Sequence, residues 1–347
     1  MVHPSVILDK TQIYVEVIEV KKKWIMPLMA GLLALVTAAC GSNSASPVPA
    51  QTPAASADAQ ASAASSEEVT IKHKLGEAKL KKNPQTVVAF DYGVLDSLDK
   101  LGIEVTGVAQ SNLPPYLEKF KDAKYKNIGS LKEPDFEKIN AMKPDVIFIS
   151  GRQQEAYEEL NKIAPTIFLG VDTKNYMDSF TTNMKTLGTI FGKEAQVDEE
   201  LGKINESIKA LTDKTKANGK NALIVMTSEG KLSAFGPGSR FGILHDVFGF
   251  TPVDSNLEVS THGQSISPEF VVEKDPDYLF VVDGGIVSKN KDAAVSAKQT
   301  IENDLIKNTK AFKDGNIIYL DANYWYLSGG GLVSTASMAN EVLADLK

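Results

Sequence analysis

The chain has 347 residues, of which 43% are hydrophobic and 23% charged, so it is long enough for two globular domains of ordinary size. Its net charge of −7 argues against a nucleic-acid partner, and its single cysteine, Cys40, excludes an internal disulfide. Composition therefore favours a two-domain globular protein that acts on something other than DNA or RNA.

The first part of the chain has the pattern of an export signal. Three lysines at 21–23 precede a short apolar run at 24–36 and then three small residues, the order found in secretory signals. The apolar run is too short to span a bilayer comfortably. Residues 1–19 are strand-like and mildly acidic, unlike a signal peptide, which leads to the hypothesis that translation starts at Val20. We assign residues 1–39 to an upstream extension and a signal peptide.

Cys40 directly follows the small residues of the signal. Its position resembles the lipobox of bacterial lipoproteins, although Thr37 stands where an aliphatic residue is commoner. The resemblance implies diacylation of Cys40 and a protein anchored by lipid to the extracytoplasmic face of the cell membrane. An ordinary cleavage site beside an unrelated cysteine is the alternative. The segment 40–68 is rich in Ala, Ser, Pro and Gln, and it predicts the lipidated cysteine followed by a disordered tether.

From residue 69 onward, apolar strand-like runs alternate with helical patterns. Strands are predicted at 86–90, 105–109, 166–170, 222–226 and 317–320, and helices at 91–102 and 241–249. The phrase EKINAMKPDVIFI at 137–149 resembles EFVVEKDPDYLFV at 269–281, and each reads as a helix, a Pro-Asp turn and a buried strand. The alternation predicts mainly parallel sheets, and the repeated phrase predicts two similarly built α/β lobes.

Between the two halves, residues 176–218 contain few turn signals and predict two successive helices. The first helix ends near Gly192, and the second covers 197–216. If the first helix alone joins the lobes, we expect a stiff hinge and a small closure on ligand binding. The predicted organisation is an N-terminal α/β lobe at 69–174, a connecting backbone helix at 175–193 and a C-terminal α/β lobe at 194–347.

Several short phrases, in one order, carry a family resemblance. They are SLKEPDFEKI (130–139), SGRQ (150–153), AFGPGSRFG (234–242), STHGQS (260–265), PDYLFVVD (276–283) and YLDANYWYLSGGG (319–331). From about residue 69 to the C-terminus, the chain resembles the siderophore-binding lipoproteins of ABC iron importers, of the petrobactin/catecholate type. The resemblance implies a class III solute-binding fold, which has two Rossmann-like lobes joined by a single long backbone helix. It also implies that a ferric siderophore is held in the cleft between the lobes.

The chain has two arginines, and each follows a strand-like run. Arg152 lies in VIFISGRQQ and Arg240 in the Gly/Pro loop AFGPGSRFG. The resemblance implies that both lie in the cleft, on opposite lobes. A ferric tris-catecholate carries about three negative charges and flat rings, and arginine suits it better than lysine because a guanidinium is planar, always charged and able to stack on aromatic faces. We therefore predict a two-sided arginine clamp, with codon bias as the alternative explanation for the scarcity of arginine.

A third cleft arginine is expected to be missing. Proteins of the resembled type have an arginine after the strand that ends in VVD, where this chain has Gly284. Either Lys289 or Lys291 substitutes for it from the following loop, or the site suits a less negative chelate.

Two further residues are candidates for contact with iron. His262 in STHGQS and Tyr326 in NYWYL match positions where, by the resemblance, an imidazole and a phenolate complete the coordination of iron in a tetradentate chelate. A surface role for His262 and a core role for the aromatic residues are the alternatives. Taking NYWYL as the end of a strand, whose side chains alternate, we place Tyr326 in the cleft and Trp325 beneath it. His245 and His73 are interpreted as structural residues.

Glu137 and Glu269 begin the two copies of the repeated phrase, each at the same distance before its Pro-Asp. The resemblance implies that a carboxylate on each lobe docks on arginines of the two permease subunits, and these glutamates are our candidates. An ordinary solvated helix surface is the alternative.

Other classes of protein fit the sequence less well. The segment 236–242, GPGSRFG, imitates a dinucleotide-binding loop but follows a hairpin-like stretch rather than the first strand of a βαβ unit. The sequence contains no G-x-S-x-G elbow and no zincin-spaced histidines, which argues against a hydrolase. The resemblance implies a monomeric binding protein without a cofactor rather than an enzyme. A bare Zn or Mn receptor would need more His, Asp and Glu ligands. The main alternative is a receptor for another iron chelate, such as a hydroxamate siderophore or haem, or for cobalamin.

Overall fold

The structure, a computed structural model, describes residues 67–287 and 296–347. The predicted signal peptide, the proposed start at Val20 and the lipidation of Cys40 lie outside the described residues. Within the described ranges, no helix is both long enough and apolar enough to cross a membrane.

The described chain opens with a β-hairpin that the sequence analysis did not predict. Strand β1 (Glu68–His73) pairs antiparallel with β2 (Gly76–Lys81), so that Ile71 lies opposite Ala78. Ile71, Ala78 and Leu80 are buried, while most of their neighbours are exposed. In the sequence, apolar residues alternate with polar ones along both strands, and this is the pattern that indicates a half-buried hairpin.

Five parallel strands form the sheet of the N-terminal lobe. They are β3 (Val87–Ala89), β4 (Gly107–Val108), β5 (Lys126–Asn127), β6 (Val146–Ile149) and β7 (Thr166–Phe168), in the order β5-β4-β3-β6-β7. The helices of this lobe are α1 (Tyr92–Lys100), α2 (Phe136–Met142) and α3 (Tyr157–Ile163). The chain order of the strands reverses between β3 and β6, and ligands of open parallel sheets bind at the carboxyl ends of the strands at such a switch point. The residues that follow β3 and β6 are therefore placed for ligand binding.

Two successive helices lead from the first lobe to the second. Helix α4 (Tyr176–Phe191) ends at Gly192, whose φ of 62° is the left-handed conformation that closes many helices. Helix α5 (Glu194–Asn218) then runs to the first strand of the second lobe. Both helices and the stop at Gly192 agree with the sequence prediction.

The second lobe contains a mixed six-stranded sheet. Its strands are β8 (Asn221–Ser228), β9 (Lys231–Phe235), β10 (Thr251–Pro252), β11 (Gln264–Ile266), β12 (Tyr278–Asp283) and β13 (Ile317–Leu320), in the order β11-β9-β8-β12-β13 with β10 beside β8. Its helices are α6 (Ile243–Asp246), α7 (Pro268–Lys274), α8 (Ala297–Ile301), α9 (Lys310–Lys313) and α10 (Leu332–Asp345). Strands β8, β10, β12 and β13 are parallel, whereas β9 runs antiparallel to both of its neighbours, β8 and β11. The two-residue loop Glu229-Gly230 causes this difference, because both residues have a positive φ (52° and 76°), as in a tight hairpin turn.

The two copies of the repeated phrase fold alike. Helices α2 and α7 each end in a left-handed residue directly before Pro-Asp, Lys143 (φ 49°) and Asp275 (φ 41°). The Asp145 carboxylate accepts hydrogen bonds from two amides just before β3, at 2.9 and 2.8 Å, and Asp277 accepts one from the first amide of β8, at 3.1 Å. Each aspartate therefore ties its turn to the neighbouring strand. The predicted fold class, two Rossmann-like lobes joined by one long helix, is confirmed.

A buried contact between α1 and α10 also joins the lobes. We call it the inter-lobe seam: Gly93 and Asp96 of α1 lie against Gly331, Val333 and Ser334 at the start of α10. A Cβ at Gly93 would lie only 3.0 Å from the Gly331 amide nitrogen, so glycine permits the close approach. The carboxylate of Asp96 is fully buried and accepts hydrogen bonds from the amides of Val333 (3.2 Å) and Ser334 (3.0 Å). A carboxylate of one lobe thus caps a helix of the other lobe.

Candidate functional site

Arg152 follows β6 at the switch point of the first sheet, on a short 3-10 helix (Gly151–Ala156). Ser150 fixes the start of this helix: its hydroxyl donates to the Asp91 carboxylate (2.7 Å), and its amide donates to the side-chain oxygen of Gln153 (3.0 Å). Asp91 directly precedes α1 and caps it, and its carboxylate lies 3.9 Å from Nη1 of Arg152. The ends of β3 and β6 therefore hold a carboxylate and a guanidinium side by side.

Arg240 comes from the opposite lobe, on the loop that follows β9. Gly238 has a left-handed φ of 71°, and its amide donates to the Asp246 carboxylate at 2.6 Å. The Ser239 hydroxyl donates to the Gly236 carbonyl, also at 2.6 Å. The small residues of this loop therefore allow a compact, internally bonded turn that ends at Arg240.

A cavity of about 590 Å³ lies between the lobes, a volume typical of small-molecule sites. Its charged lining residues are Lys74, Asp91, Arg152 and Arg240, and its aromatic lining residues are Phe168, Tyr176, Trp325 and Tyr326. Three cations against one carboxylate give the lining a net positive charge. The cavity therefore suits an anionic ligand with aromatic groups.

The two arginines converge on one residue. Nη2 of each guanidinium donates to the main-chain carbonyl of Tyr326 at 2.7 Å, and Nη1 of Arg152 also reaches the Leu327 carbonyl at 3.4 Å. The Arg240 guanidinium lies 4.1 Å from the centroid of the Tyr326 ring, in a cation–π contact. Because a guanidinium has five N–H donors, these bonds fix both side chains and still leave donors for an anion.

The electrostatics of the pair favour an anionic ligand. Burial, together with the neighbouring charge of Arg152, lowers the pKa of Arg240 to about 10. Arg240 therefore remains charged at neutral pH, and two like charges lie close together in a poorly solvated cleft. An anion bound between them offsets their repulsion, because charges attract strongly where water is scarce.

The segment Asn323–Leu327 is a short helical turn, so the predicted strand end is wrong. Within this turn, Trp325 is buried and its indole N–H donates to Oε2 of Glu341 (2.8 Å), whereas Tyr326 is half-buried along the cavity. The turn is of the wide π type, with the Ser328 amide donating to the Asn323 carbonyl at 3.1 Å, a form common at functional sites. Trp325 thus lies deeper than Tyr326, as we expected, but a helical turn rather than strand alternation separates them.

His262 is exposed and is not among the residues that line the cavity. Its predecessors Val259, Ser260 and Thr261 do line it, so the loop reaches the cavity one residue before the histidine. The structure therefore brings Arg152, Arg240 and Tyr326 together but leaves His262 at the rim. Within the described residues, no group of three or more His, Cys, Asp or Glu side chains is arranged to hold a metal ion.

Gly284 is buried at the end of β12 and does not line the cavity. A Cβ at this position would lie 2.8 Å from the Thr227 carbonyl oxygen and 3.2 Å from Met226, so a side chain would require its neighbours to shift. The end of β12 thus supplies no cation to the cleft. Lys289 and Lys291, the predicted substitutes, lie outside the described residues.

The remaining candidates lie away from the cavity. Glu137 and Glu269 are exposed in the first turns of α2 and α7, at equivalent positions of the two lobes. His245 is buried on α6 with its Nδ1 at 3.0 Å from the Phe250 carbonyl, and burial lowers its pKa. The structural interpretation of His245 is confirmed.

Sequence reasoning missed several residues of the cavity wall, among them Asp91, Lys74 and Phe168. Asp91 directly follows a predicted strand, so its place at the carboxyl end of a parallel sheet was a usable signal. Lys74 lies on the hairpin that was not predicted, and Phe168 ends strand β7 in what reads as an ordinary apolar run.

Comparison with known proteins defines the class. The sequence profile of the periplasmic binding protein family matches residues 87–324, and the chain belongs to this family. It is 48% identical over 330 residues to the petrobactin-binding protein of Bacillus subtilis (strain 168), which covers 94% of this chain and 99% of that protein.

Solved structures agree with this assignment. The crystal structure of the petrobactin-binding protein from Bacillus subtilis matches with a TM-score of 0.78 and 50% identity, over 81% of this chain and 99% of that chain. The periplasmic catecholate-siderophore binding protein from Vibrio cholerae matches with a TM-score of 0.74 and 38% identity, over 80% of this chain and 100% of that chain.

Proposed function

We infer that this protein is an extracytoplasmic, lipid-anchored receptor that binds a ferric catecholate-type, petrobactin-like siderophore between its lobes and delivers it to an ABC permease. The observation that carries this inference is the convergence of the chain's two arginines, one from each lobe, on Tyr326 in a positively charged, aromatic cavity. The high identity to a petrobactin-binding protein over nearly the whole chain supports the same class of ligand.

The chemistry of the cavity suits a ferric catecholate. Arg152 and Arg240 donate to the catecholate oxygens, whose negative charge they balance, while their planar faces and the ring of Tyr326 pack against the flat catechol rings. Asp91, the one carboxylate of the lining, accepts a hydrogen bond from the Ser150 hydroxyl and lies 3.9 Å from Nη1 of Arg152. Its proposed role is therefore to orient Arg152 rather than to contact the ligand. Specificity then depends on charge and on ring shape together.

The Tyr326 phenol is the group we propose for direct contact with iron when the chelate supplies only four oxygens. His262, which was predicted beside it, takes part only if its loop turns inward by a residue. A hexadentate chelate fills every coordination position of iron and needs neither side chain.

Other parts of the proposal rest on sequence and position. Cys40 carries the lipid anchor. Glu137 and Glu269 dock on the two permease subunits, because these glutamates are exposed at equivalent sites of the two lobes. The protein acts as a monomer, without a cofactor and without enzymatic activity.

The test is a titration of intrinsic fluorescence, since Trp325 lies at the cavity. The soluble domain is titrated with a ferric tris-catecholate, a ferric bis-catecholate, a ferric trihydroxamate, haem and cobalamin, and bound complexes are checked by the visible charge-transfer band of the ferric catecholate. We expect tight binding of at least one catecholate and much weaker binding of the others. Preference for the hydroxamate, haem or cobalamin contradicts the catecholate assignment and establishes the alternative receptor.

A further inference from the structure

The β1–β2 hairpin brings a third cation to the cavity. Lys74, in the turn after β1, is a lining residue, and its Nζ lies 5.4 Å from the centroid of the Phe168 ring. Phe168 ends strand β7 and is itself a lining residue. A Cβ at Gly170 would lie 2.6 Å from the Phe168 ring, so this glycine leaves room for the ring at the cavity wall. A cation and an aromatic face therefore lie together on the N-terminal lobe.

The hairpin holds Lys74 in this position through the residue before it. The ring of His73 packs edge-on against Tyr157, with centroids 5.7 Å apart, and its Nδ1 accepts a hydrogen bond from the Leu75 amide at 3.3 Å. Burial lowers the pKa of His73, which favours its neutral form. With His73 directed into the lobe, the adjacent Lys74 is directed to the other side of the turn, toward the cavity.

The charges that line the cleft indicate a role for Lys74 in binding an anion. The arginine pair supplies two positive charges, and the carboxylate of Asp91 lies 3.9 Å from one of them. Gly284 cannot add a cation from β12, since even a Cβ there would crowd the Thr227 carbonyl. Lys74 offsets the negative charge of Asp91 in the lining. It lies on the N-terminal lobe, whereas β12 belongs to the C-terminal lobe.

The immediate surroundings of Lys74 keep its ammonium available to a ligand. The exposed carboxylate of Asp172 accepts hydrogen bonds from the Asn175 side-chain amide and the Lys174 main-chain amide, both at 3.1 Å, and these bonds are the main reason that its pKa is lowered. Asp172 is thus held mainly by its own turn and only weakly by Lys74.

We propose that Lys74 and Phe168 form a third subsite of the cleft, which binds an anionic aromatic arm of the chelate beside the arginine pair. The ring of the arm packs on Phe168 while its oxygens meet the ammonium of Lys74. This subsite rests on the proposed function and deepens it, because it selects ferric chelates with catecholate arms over those whose arms are neutral and not aromatic.

The experiment compares Lys74→Gln with Lys72→Gln. Lys72 lies on the same hairpin and is exposed, but it does not line the cavity, so it is a matched control. Each variant is titrated with a strongly negative ferric tris-catecholate and with a neutral ferric trihydroxamate. We expect Lys74→Gln to weaken binding of the tris-catecholate about fivefold, the effect of one partly solvated ion pair, and to leave the trihydroxamate within about twofold. Lys72→Gln should change neither.

A second variant tests the aromatic half of the subsite. Phe168→Leu should also weaken binding of the tris-catecholate. Lys74→Gln should reduce the affinity less in the Phe168→Leu background than in the wild type, because the two side chains bind the same arm. Thermal unfolding checks that the Phe168→Leu variant keeps its fold. If this variant does not fold, the comparison of Lys74→Gln with Lys72→Gln decides the question.

The outcomes separate this subsite from the function on which it rests. Failure of the wild-type protein to bind any ferric catecholate overturns both. Normal binding by the wild type, loss in Arg240→Ala and no loss in Lys74→Gln overturn the subsite alone. Equal losses for the tris-catecholate and the neutral trihydroxamate also overturn it, because they indicate a general defect of the hairpin.

Discussion

The two places where the lobes meet, the arginine cleft and the inter-lobe seam, use charged groups in opposite ways. In the seam, the carboxylate of Asp96 is fully buried, and its partners are protein groups, including the Ser334 amide and the Tyr116 hydroxyl at 3.1 Å. In the cleft, Arg152 and Arg240 share one carbonyl and remain half-buried along a cavity. The seam is satisfied by the protein itself, whereas the cleft keeps positive charge for a ligand.

The comparison also indicates how the lobes move. Helix α1 belongs to both places, because Asp91 at its start lies in the cleft and Asp96 near its middle lies in the seam. A cap that crosses from one lobe to the other, added to the connecting helix α4, restrains the angle between the lobes. We therefore expect a stiff hinge, with ligand binding accompanied by side-chain adjustment and a small closure.

The largest effect is expected in the seam. Asp96→Ala should lower the free energy of unfolding by about 3 kcal/mol, because it leaves the buried amides of Val333 and Ser334 without an acceptor. Urea denaturation measures this loss. Asp99→Ala is the control on the same helix, where an exposed ion pair with Lys119 should contribute less than about 1 kcal/mol. Equal midpoints for Asp96→Ala and the wild type would show that the seam does not hold the lobes.

In the cleft, Arg240→Ala should weaken binding of a ferric catecholate by more than about 1.5 kcal/mol, or roughly tenfold, because it removes a charged hydrogen-bond donor. Arg240→Lys should recover only part of the loss, since an ammonium cannot reproduce the planar fork. Fluorescence titration measures both, with Lys231→Ala, an exposed residue of β9 outside the cavity lining, as the control. Full recovery by lysine would mean that only the charge matters.

The pH dependence of stability sharpens the contrast. Burial raises the pKa of Asp96 to about 7, although hydrogen bonds from Ser334, Val333 and Tyr116 oppose the shift. Between roughly pH 4 and 7 the native state then keeps a proton that the unfolded state has released, so stability falls as pH rises, by at most about 1.4 kcal/mol per pH unit.

Asp96→Asn should flatten this part of the stability profile. Burial also raises the pKa of Glu341, so the quantity to measure is the difference between wild type and Asp96→Asn in urea denaturation across that window. A difference that is constant with pH contradicts the prediction and means that Asp96 is ionised throughout.

The Tyr326 hydroxyl should matter for one class of chelate only. Tyr326→Phe should leave the affinity for a hexadentate ferric chelate within about twofold of wild type. It should weaken binding of a tetradentate bis-catecholate about fivefold, because only this chelate leaves coordination positions on iron open to a phenolate. His262→Ala is measured in parallel and should follow the same pattern only if its loop turns inward. Equal losses for the two chelates would assign Tyr326 to packing against Arg240 instead of iron.

The smallest effect on the purified protein is expected outside both contact regions. Changing Glu137 and Glu269 together to Ala should leave stability and soluble binding unchanged, because both are exposed, while uptake of the ferric chelate by cells falls sharply. Single substitutions should do less, since exposed ion pairs are individually weak, about 0–1 kcal/mol. Normal transport by the double variant would place the docking surface elsewhere.

Much of the fold followed from local patterns. The Pro-Asp phrase predicted the repeat because its turn, with Lys143 or Asp275 in a left-handed conformation, is a local structure. The antiparallel part of the second sheet was missed because it depends on the turn Glu229-Gly230, and the first hairpin was missed because its apolar residues are few. The helical turn at Asn323–Leu327 reads equally well as a strand end, since a short aromatic run fits both periods.

The sequence by itself determined that two arginines follow strands in separate lobes, that a helix stops at Gly192 and that the chain repeats one α/β unit. Only the tertiary structure decided that both arginines donate to one carbonyl, that Lys74 and Asp91 join them and that Asp96 caps a helix of the other lobe. The physical reason is distance along the chain. Periodicity and turn chemistry act over a few residues, whereas Arg152 and the Leu327 carbonyl are 175 positions apart and meet only when both lobes have folded.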